Sequence, residues 1–273
     1  MTPCHCKIYN KTRNLDNNPV ISELSFDFFD GLSKNKDMNI LTPKQQEIAD
    51  RESRILDVAR PMLIKEGYHG LSMDRIANEL SLSKGTIYNQ FSCKEEIVIA
   101  LAIETMTKRM DMFRRAAQFR DCSRFRMLAI GEAAERFVRQ SPEHFQFEQI
   151  VRLDSVWEKT SEKRRSVVRT CEMNYMGIVA GIVRDAIANG ELDLPNAVCP
   201  EDLVFGLWSL TSGAYSIVLS SDSLENLGMS EPYETVRNHT SVLLDGYQWK
   251  PLSNAYNRDE MLQRIGQEVF GDE

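Results

Sequence analysis

The sequence predicts an all-α fold: a small three-helix head at residues 42–97, a larger helical domain at 98–250, and a short C-terminal helix beyond. Two observations carry this. Apolar residues recur with the helical period through nearly every segment after Thr42, and no segment alternates with the period of a strand. Start and stop residues, Ser, Thr or Pro at one end and Gly at the other, bracket these runs. At 273 residues the chain can bury a large core and form two domains.

Residues 1–41 are polar and Asn-rich, with Pro19 and Gly31 as breakers and Leu24, Phe26, Phe28 and Phe29 as the one apolar cluster. They read as a poorly ordered arm or a short element that docks through those aromatics. Cys4-His5-Cys6 is no metal site by this reading, because adjacent ligands do not easily reach one tetrahedral ion and no second pair follows. The first helix starts at Thr42-Pro43, with a Thr cap and Pro at its first position, and ends at Gly67. Ile48, Ile55, Val58, Ala59, Met62 and Leu63 form its buried side. Pro61 should kink it, at about 3 kcal/mol in a regular interior.

Residues 71–94 read as two short helices joined by a tight turn. Ser72 caps the first, whose Met73, Ile76, Ala77 and Leu80 fall on one stripe. Ser81-Leu82-Ser83 forms the turn, and Ser83 caps a second helix that buries Ile87 and Phe91. Lys84, Thr86, Tyr88, Asn89 and Gln90 stay more exposed, as a helix entering the major groove requires. A long helix from Lys94 to about Phe119 follows, then helices near 124–140, 142–153, 160–189, 201–221, 231–247 and 257–270. The 201–221 helix carries few charges on any side, so it must be buried all round, with one side for its own domain and one for a partner subunit.

Gly67-Tyr68, Leu71-Ser72, Ile76-Ala77, the run Ser83-Lys84-Gly85-Thr86-Ile87-Tyr88-Asn89-Gln90-Phe91 and Lys94-Glu95-Glu96 resemble the DNA-binding domain of the tetracycline-repressor (TetR/AcrR-type) family. The match runs ungapped over roughly residues 44–105; beyond it only the helical layout is similar. The resemblance implies a ligand-responsive, sequence-specific regulator, most often a repressor, that binds a palindromic DNA operator as a homodimer. Residues 98–250 would then hold the effector pocket and the dimer surface, the latter on helices 201–221 and 231–247. Among the DNA-binding candidates, Ser72 shares its hydroxyl between cap and phosphate, and Lys84 reaches guanine or a phosphate, with Gly85 letting the backbone approach. Thr86 meets a phosphate or a thymine methyl, and Tyr88 in this family setting a phosphate. Asn89 and Gln90 are the base readers, since each amide pairs bidentately with adenine, and Lys94 holds the DNA backbone. Met106, Met110, Phe137, Phe147, Trp157, Met173, Met176 and Trp208 are the pocket candidates, drawn from an interior rich in Met and aromatics that also suits ordinary core packing. Glu132, Glu135, His144, Glu148 and Arg152 either orient a polar ligand or, as single residues more commonly do, lie on a solvated face.

The net charge of −7 does not oppose DNA binding, because residues 80–94 carry Lys84 and Lys94 and no acid. No stretch approaches the roughly 20 consecutive apolar residues of a membrane span, and the N-terminus lacks a secretory pattern. Six cysteines without a framework spacing suggest free thiols in a cytoplasmic protein. Cys93, between the reading helix and Lys94, raises the question of a redox-sensitive thiol. No phosphate loop, HExxH, nucleophile elbow or carboxylate pair points to an enzyme, and no cofactor is implied. The alternative is an interaction module whose activity depends on a partner bound at the terminal extensions.

Overall fold

The structure, a computed structural model, describes residues 42–272. The 1–41 arm and Cys4-His5-Cys6 lie outside the described residues. Eleven α-helices are numbered here in chain order: α1 (Pro43–Gly70), α2 (Met73–Glu79), α3 (Lys84–Gln90), α4 (Lys94–Ala117), α5 (Ser123–Gln140), α6 (Pro142–Val151), α7 (Asp154–Trp157), α8 (Glu162–Ala188), α9 (Pro200–Ser220), α10 (Pro232–Gly246) and α11 (Arg258–Ile265). No strand occurs among the described residues. They divide into two compact units, the first formed by the residues up to Ile97 with Lys159–Val167, the second by Val98–Glu158 with Val168 onward.

In the first unit, Thr42 opens α1 with a capping box. Its hydroxyl accepts from the Gln45 N–H at 3.3 Å, and the Gln45 side chain accepts from the Thr42 N–H at 2.9 Å. The expected kink at Pro61 does not appear; the backbone breaks instead at Gly67, where φ is 67°. Pro61 and Asp57 both lie on the exposed side, so the carbonyl freed by the missing N–H faces solvent. Ile48, expected on the buried side, is 42% exposed, because the first turns of α1 project past the α2–α3 pair and the packing begins at Ile55. Ile55, Leu56, Ala59, Met62 and Leu63 meet Leu71, Met73, Ile76 and Ala77 of the α2 region and Ile87 and Phe91 of the α3 region, all buried. The α2 helix ends in a Schellman motif: the Leu82 N–H donates to Ala77 O at 2.9 Å and the Ser81 N–H to Asn78 O at 3.1 Å. Ser81 takes the left-handed position, φ 54°, that glycine usually fills.

The second unit packs around Phe119, Met127, Ile130, Ile182, Val183, Leu203, Val204, Leu207, Leu244, Trp249 and Ile265. Arg124, 2% exposed, is satisfied there by Trp249 O, Ser241 O and the Asp245 carboxylate, the last at 2.7 Å. Trp249 is fully buried and donates its indole N–H to Ser123 Oγ at 2.8 Å. The residues after 250 are tied in as well: Arg264 pairs with Asp121 at 2.6 Å, Arg136 with Asp272, and Arg258 with Glu234. They form part of this core rather than a loose appendage.

The α9 helix departs from expectation in two ways. By length and composition it is apolar enough to cross a membrane, with a mean hydropathy of 1.4 over its best window, although Ser, Thr and Gly interrupt every run of apolar residues. It is also not covered all round. Leu203, Val204, Leu207 and Tyr215 enter the core, whereas Phe205 and Ile217 are 59% and 58% exposed. A core helix with one bare apolar side accounts for the composition.

Candidate DNA-reading face and effector region

In the first unit, α3 is anchored by Ile87 and presents Lys84, Gly85, Tyr88 and Asn89 as exposed residues. Ser83 Oγ accepts from the Thr86 N–H at 3.1 Å and lies 2.9 Å from the Thr86 hydroxyl, so Thr86 is partly occupied by the cap. Ser72 likewise caps α2 through the Arg75 N–H at 3.5 Å. Lys84 pairs with Asp74 at 2.6 Å on the surface, a contact of little worth that a phosphate can displace. Gly85 meets no atom closer than Ser83 Oγ at 3.7 Å where a Cβ would stand, leaving its backbone open to an approaching partner.

Gln90 and Lys94 are less free than the sequence suggests. The Gln90 amide donates to Glu52 of α1 at 3.1 Å. Lys94 donates to Tyr68 O at 3.1 Å and lies 4.1 Å from the centre of the Tyr68 ring, which ties the start of α4 to the turn after Gly67. Cys93 does not have a favoured thiolate: burial pushes its thiol up, and Sγ donates to Lys159 O at 3.5 Å. Both features favour the thiol over the more reactive thiolate. Cys93, Cys122, Cys171 and Cys199 are all free.

The part of the head that sequence reading missed is Lys159–Val167. Glu95 and Glu96, which look like surface acids at the start of a helix, are 4% and 6% exposed. Glu95 Oε1 accepts from the Tyr68 hydroxyl at 2.6 Å and from Lys159 Nζ at 3.0 Å. Arg164 donates to Glu96 at 2.7 Å and to Glu52 at 3.0 Å, and its guanidinium lies 4.9 Å from the centre of the Phe91 ring. No periodicity announces these pairs, because the partners are far apart in the chain; only the local charge run Lys94-Glu95-Glu96 hints at them.

Burial works to raise the Glu95 carboxyl, but hydrogen bonds from Tyr68, its own backbone N–H and Lys159 outweigh it and hold the group at about 2. The stabilisation is therefore complete above the ordinary value of 4.5 and disappears as pH falls toward about 2. Roughly 3 kcal/mol is at stake in that window. Denaturant midpoints measured through that range should fall for the wild type and flatten for Glu95→Gln; equal slopes would contradict the assignment.

In the second unit, four of the eight pocket candidates are deep core: Met106, Met110, Phe137 and Phe147 are 4%, 1%, 4% and 2% exposed. Met176 is half-buried against the main core cluster, and Trp157 is half-buried with Arg169 near its ring. Met173 and Trp208 do not join them. Met173 is 64% exposed because it lies on the outer side of α8, and Trp208 stands edge-on to Phe205 on the bare side of α9. A cavity of about 40 Å³ between α5, α9, α10 and α11, lined by residues such as Met127, Tyr215, Arg237 and Leu262, includes none of the eight.

Two of the acids considered solvated are buried. Glu135, 4% exposed, pairs with Arg139 and Arg237. Glu148, 6% exposed, pairs with Arg109 at 2.8 Å, and the Arg109 guanidinium lies over the Tyr175 and Phe137 rings. Glu148 Oε1 and Arg109 Nε have no hydrogen-bond partner among the described residues. Burial pushes the Glu148 carboxyl up against the pull of Arg109.

A short helix held outward on a three-helix head, in an otherwise all-helical chain, defines a helix-turn-helix protein. Residues 55–101, which span all of that module except the first turns of α1, match the family model described as bacterial regulatory proteins, tetR family. Over those residues the chain carries the DNA-binding domain of that family. It is 31% identical over 70 residues to the HTH-type transcriptional regulator UidR of Escherichia coli K12, a match covering 26% of this chain and 36% of that protein. The chain therefore spans only about a third of the length of the first curated relatives it matches. It is 23% identical over 188 residues to the fatty acid metabolism regulator protein of Bacillus subtilis, covering 65% of this chain and 93% of that one. In fold it is similar to the transcriptional regulator FadR of Bacillus subtilis solved in complex with stearoyl-CoA, with a TM-score of 0.52 and 18% identity over 71% of this chain and 98% of that one.

Proposed function

We propose that this chain is a transcriptional regulator that binds a palindromic DNA operator as a homodimer, represses from it, and responds to a small-molecule effector. The observation that carries the reading is the α3 face: Lys84, Gly85, Tyr88 and Asn89 are exposed together while Ile87 anchors the helix from behind. Asn89 is the free base reader, Lys84 serves a phosphate or guanine, and Ser72, Thr86 and Tyr88 offer hydroxyls to the DNA backbone. Lys94 contributes charge from a fixed position. Homodimer formation is supported by the bare apolar side of α9, which a two-fold partner would cover.

For the effector, the regulators of similar layout described by fatty acid metabolism and by stearoyl-CoA support a long-chain acyl compound. The buried Met and Phe side chains around Arg109 suit an apolar chain, and the unpartnered polar atoms of the Arg109–Glu148 pair suit a polar head. The proposed response is a population shift in which acyl ligand favours an arrangement with the two heads out of step with successive major grooves.

Selection from a random DNA library with the full chain should enrich a palindrome. Asn89→Ala should then lose about 1–3 kcal/mol of preference at one base pair per half-site. Stearoyl-CoA should raise the thermal midpoint and release the selected DNA, whereas coenzyme A alone should do neither. A library that returns no enriched site would end the DNA reading, and an unmoved midpoint would end the acyl reading.

A further inference from the structure

We propose that Arg164 is a positioning residue for DNA reading: acting through Glu52, it orients the Gln90 amide to select a base that carries an exocyclic amine. The inference rests on the reading that α3 enters the major groove. Arg164 itself is only 19% exposed at its side chain and is held by neighbours within the head, so it acts through others rather than on DNA.

The relay consists of contacts within the first unit. One Glu52 oxygen accepts from the Gln90 amide nitrogen at 3.1 Å, and the other accepts from Arg164 at 3.0 Å. Arg164 is fixed in turn by Glu96 at 2.7 Å and by the face of the Phe91 ring. Glu96 also accepts from the Ser161 backbone N–H at 2.5 Å, which fixes the start of α8 in the same cluster. A carboxylate only accepts hydrogen bonds, so chemistry alone dictates that the Gln90 nitrogen, not its oxygen, faces Glu52.

That tether changes what Gln90 reads. An untethered glutamine amide turns either way, so it can accept from an amine or donate to the acceptors of guanine and thymine, and it discriminates less between them. With one of its two N–H groups given to Glu52, the amide is fixed with its oxygen on the side away from that carboxylate, free to accept from adenine N6 or cytosine N4. Guanine and thymine offer only acceptors at those edges. Arg164 makes the tether possible by neutralising Glu52, whose bare charge near the groove would repel DNA and whose side chain would otherwise be free to swing.

Full-length variants titrated against the selected operator and its single-base substitutions test this, with thermal midpoints measured alongside. Gln90→Ala identifies the base pair concerned, where the wild type should prefer adenine or cytosine on one strand. Glu52→Ala and Arg164→Met should each lose roughly five- to tenfold of the preference at that same pair and leave the others intact. Gln90→Ala combined with Arg164→Met should lose no more than Gln90→Ala alone. If Arg164→Met weakens all positions equally as its midpoint falls, Arg164 only braces the head and the proposal is wrong. Unchanged preference in Gln90→Ala or Glu52→Ala overturns it too. A wild type that selects no DNA fails at the earlier step, the DNA reading itself.

Discussion

Placing aspartate at both Phe205 and Ile217 is expected to convert the proposed homodimer to a monomer in sedimentation experiments and to weaken binding to the selected operator by about 100-fold or more. Both side chains are more than half exposed, so the exchange removes little from the core of the second unit and the variant should keep its helical content. On α9 they flank Ser209, Ser212, Gly213 and Ser216, small residues that let a second helix come close. Exposed Val242 lies on the neighbouring α10 helix. Two charges placed in a dry, two-fold interface meet their own copies across the axis, which doubles the penalty. The size of the DNA effect follows from lost linkage: two heads held together bind a palindrome far more tightly than either alone. An unchanged sedimentation profile would contradict the proposed dimer surface on α9.

Glu148→Ala is expected to cost about 3–5 kcal/mol in chemical denaturation, the largest stability loss of any single exchange considered. The substitution leaves the buried Arg109 guanidinium over the Phe137 and Tyr175 rings without its ion-pair partner and with Glu172 as its remaining counter-charge. The pair itself need not be strongly stabilising, because two charges taken from water recover little more than their desolvation. The double variant Arg109→Met with Glu148→Leu should therefore regain most of the loss while losing any ligand anchored by a polar head. If the single exchange proves harmless, the guanidinium reaches solvent and the site is not closed.

Much of this architecture was legible from residue order. Thr42-Pro43, Ser72, Ser83 and Ser141-Pro142 stand at the observed helix starts, and Gly190 takes the positive φ expected after α8. Such features depend on neighbours three or four residues away, which sequence reading captures. The candidate reading residues were legible for the same reason, since Ile87 and Phe91 fix which side of α3 turns inward. Errors arose where the outcome depended on distant partners. Pro61 was tolerated because its side of α1 faces solvent, and Ile48 was exposed because no helix among the described residues covers it. Glu135 and Glu148 were buried because arginines from other segments, Arg237 and Arg109, meet them.

By itself, then, the sequence determined the all-helical class, the helix limits and the outward stripe of the reading helix, since the i, i+3 and i+4 spacing and the caps are written locally. Only the tertiary structure decided that Lys159–Val167 completes the head, that Gln90 is tethered to Glu52, and that one side of α9 stays bare among the described residues. The reason is physical: burial and ion pairing are properties of a place in space, and remote residues reach that place only once the chain has folded.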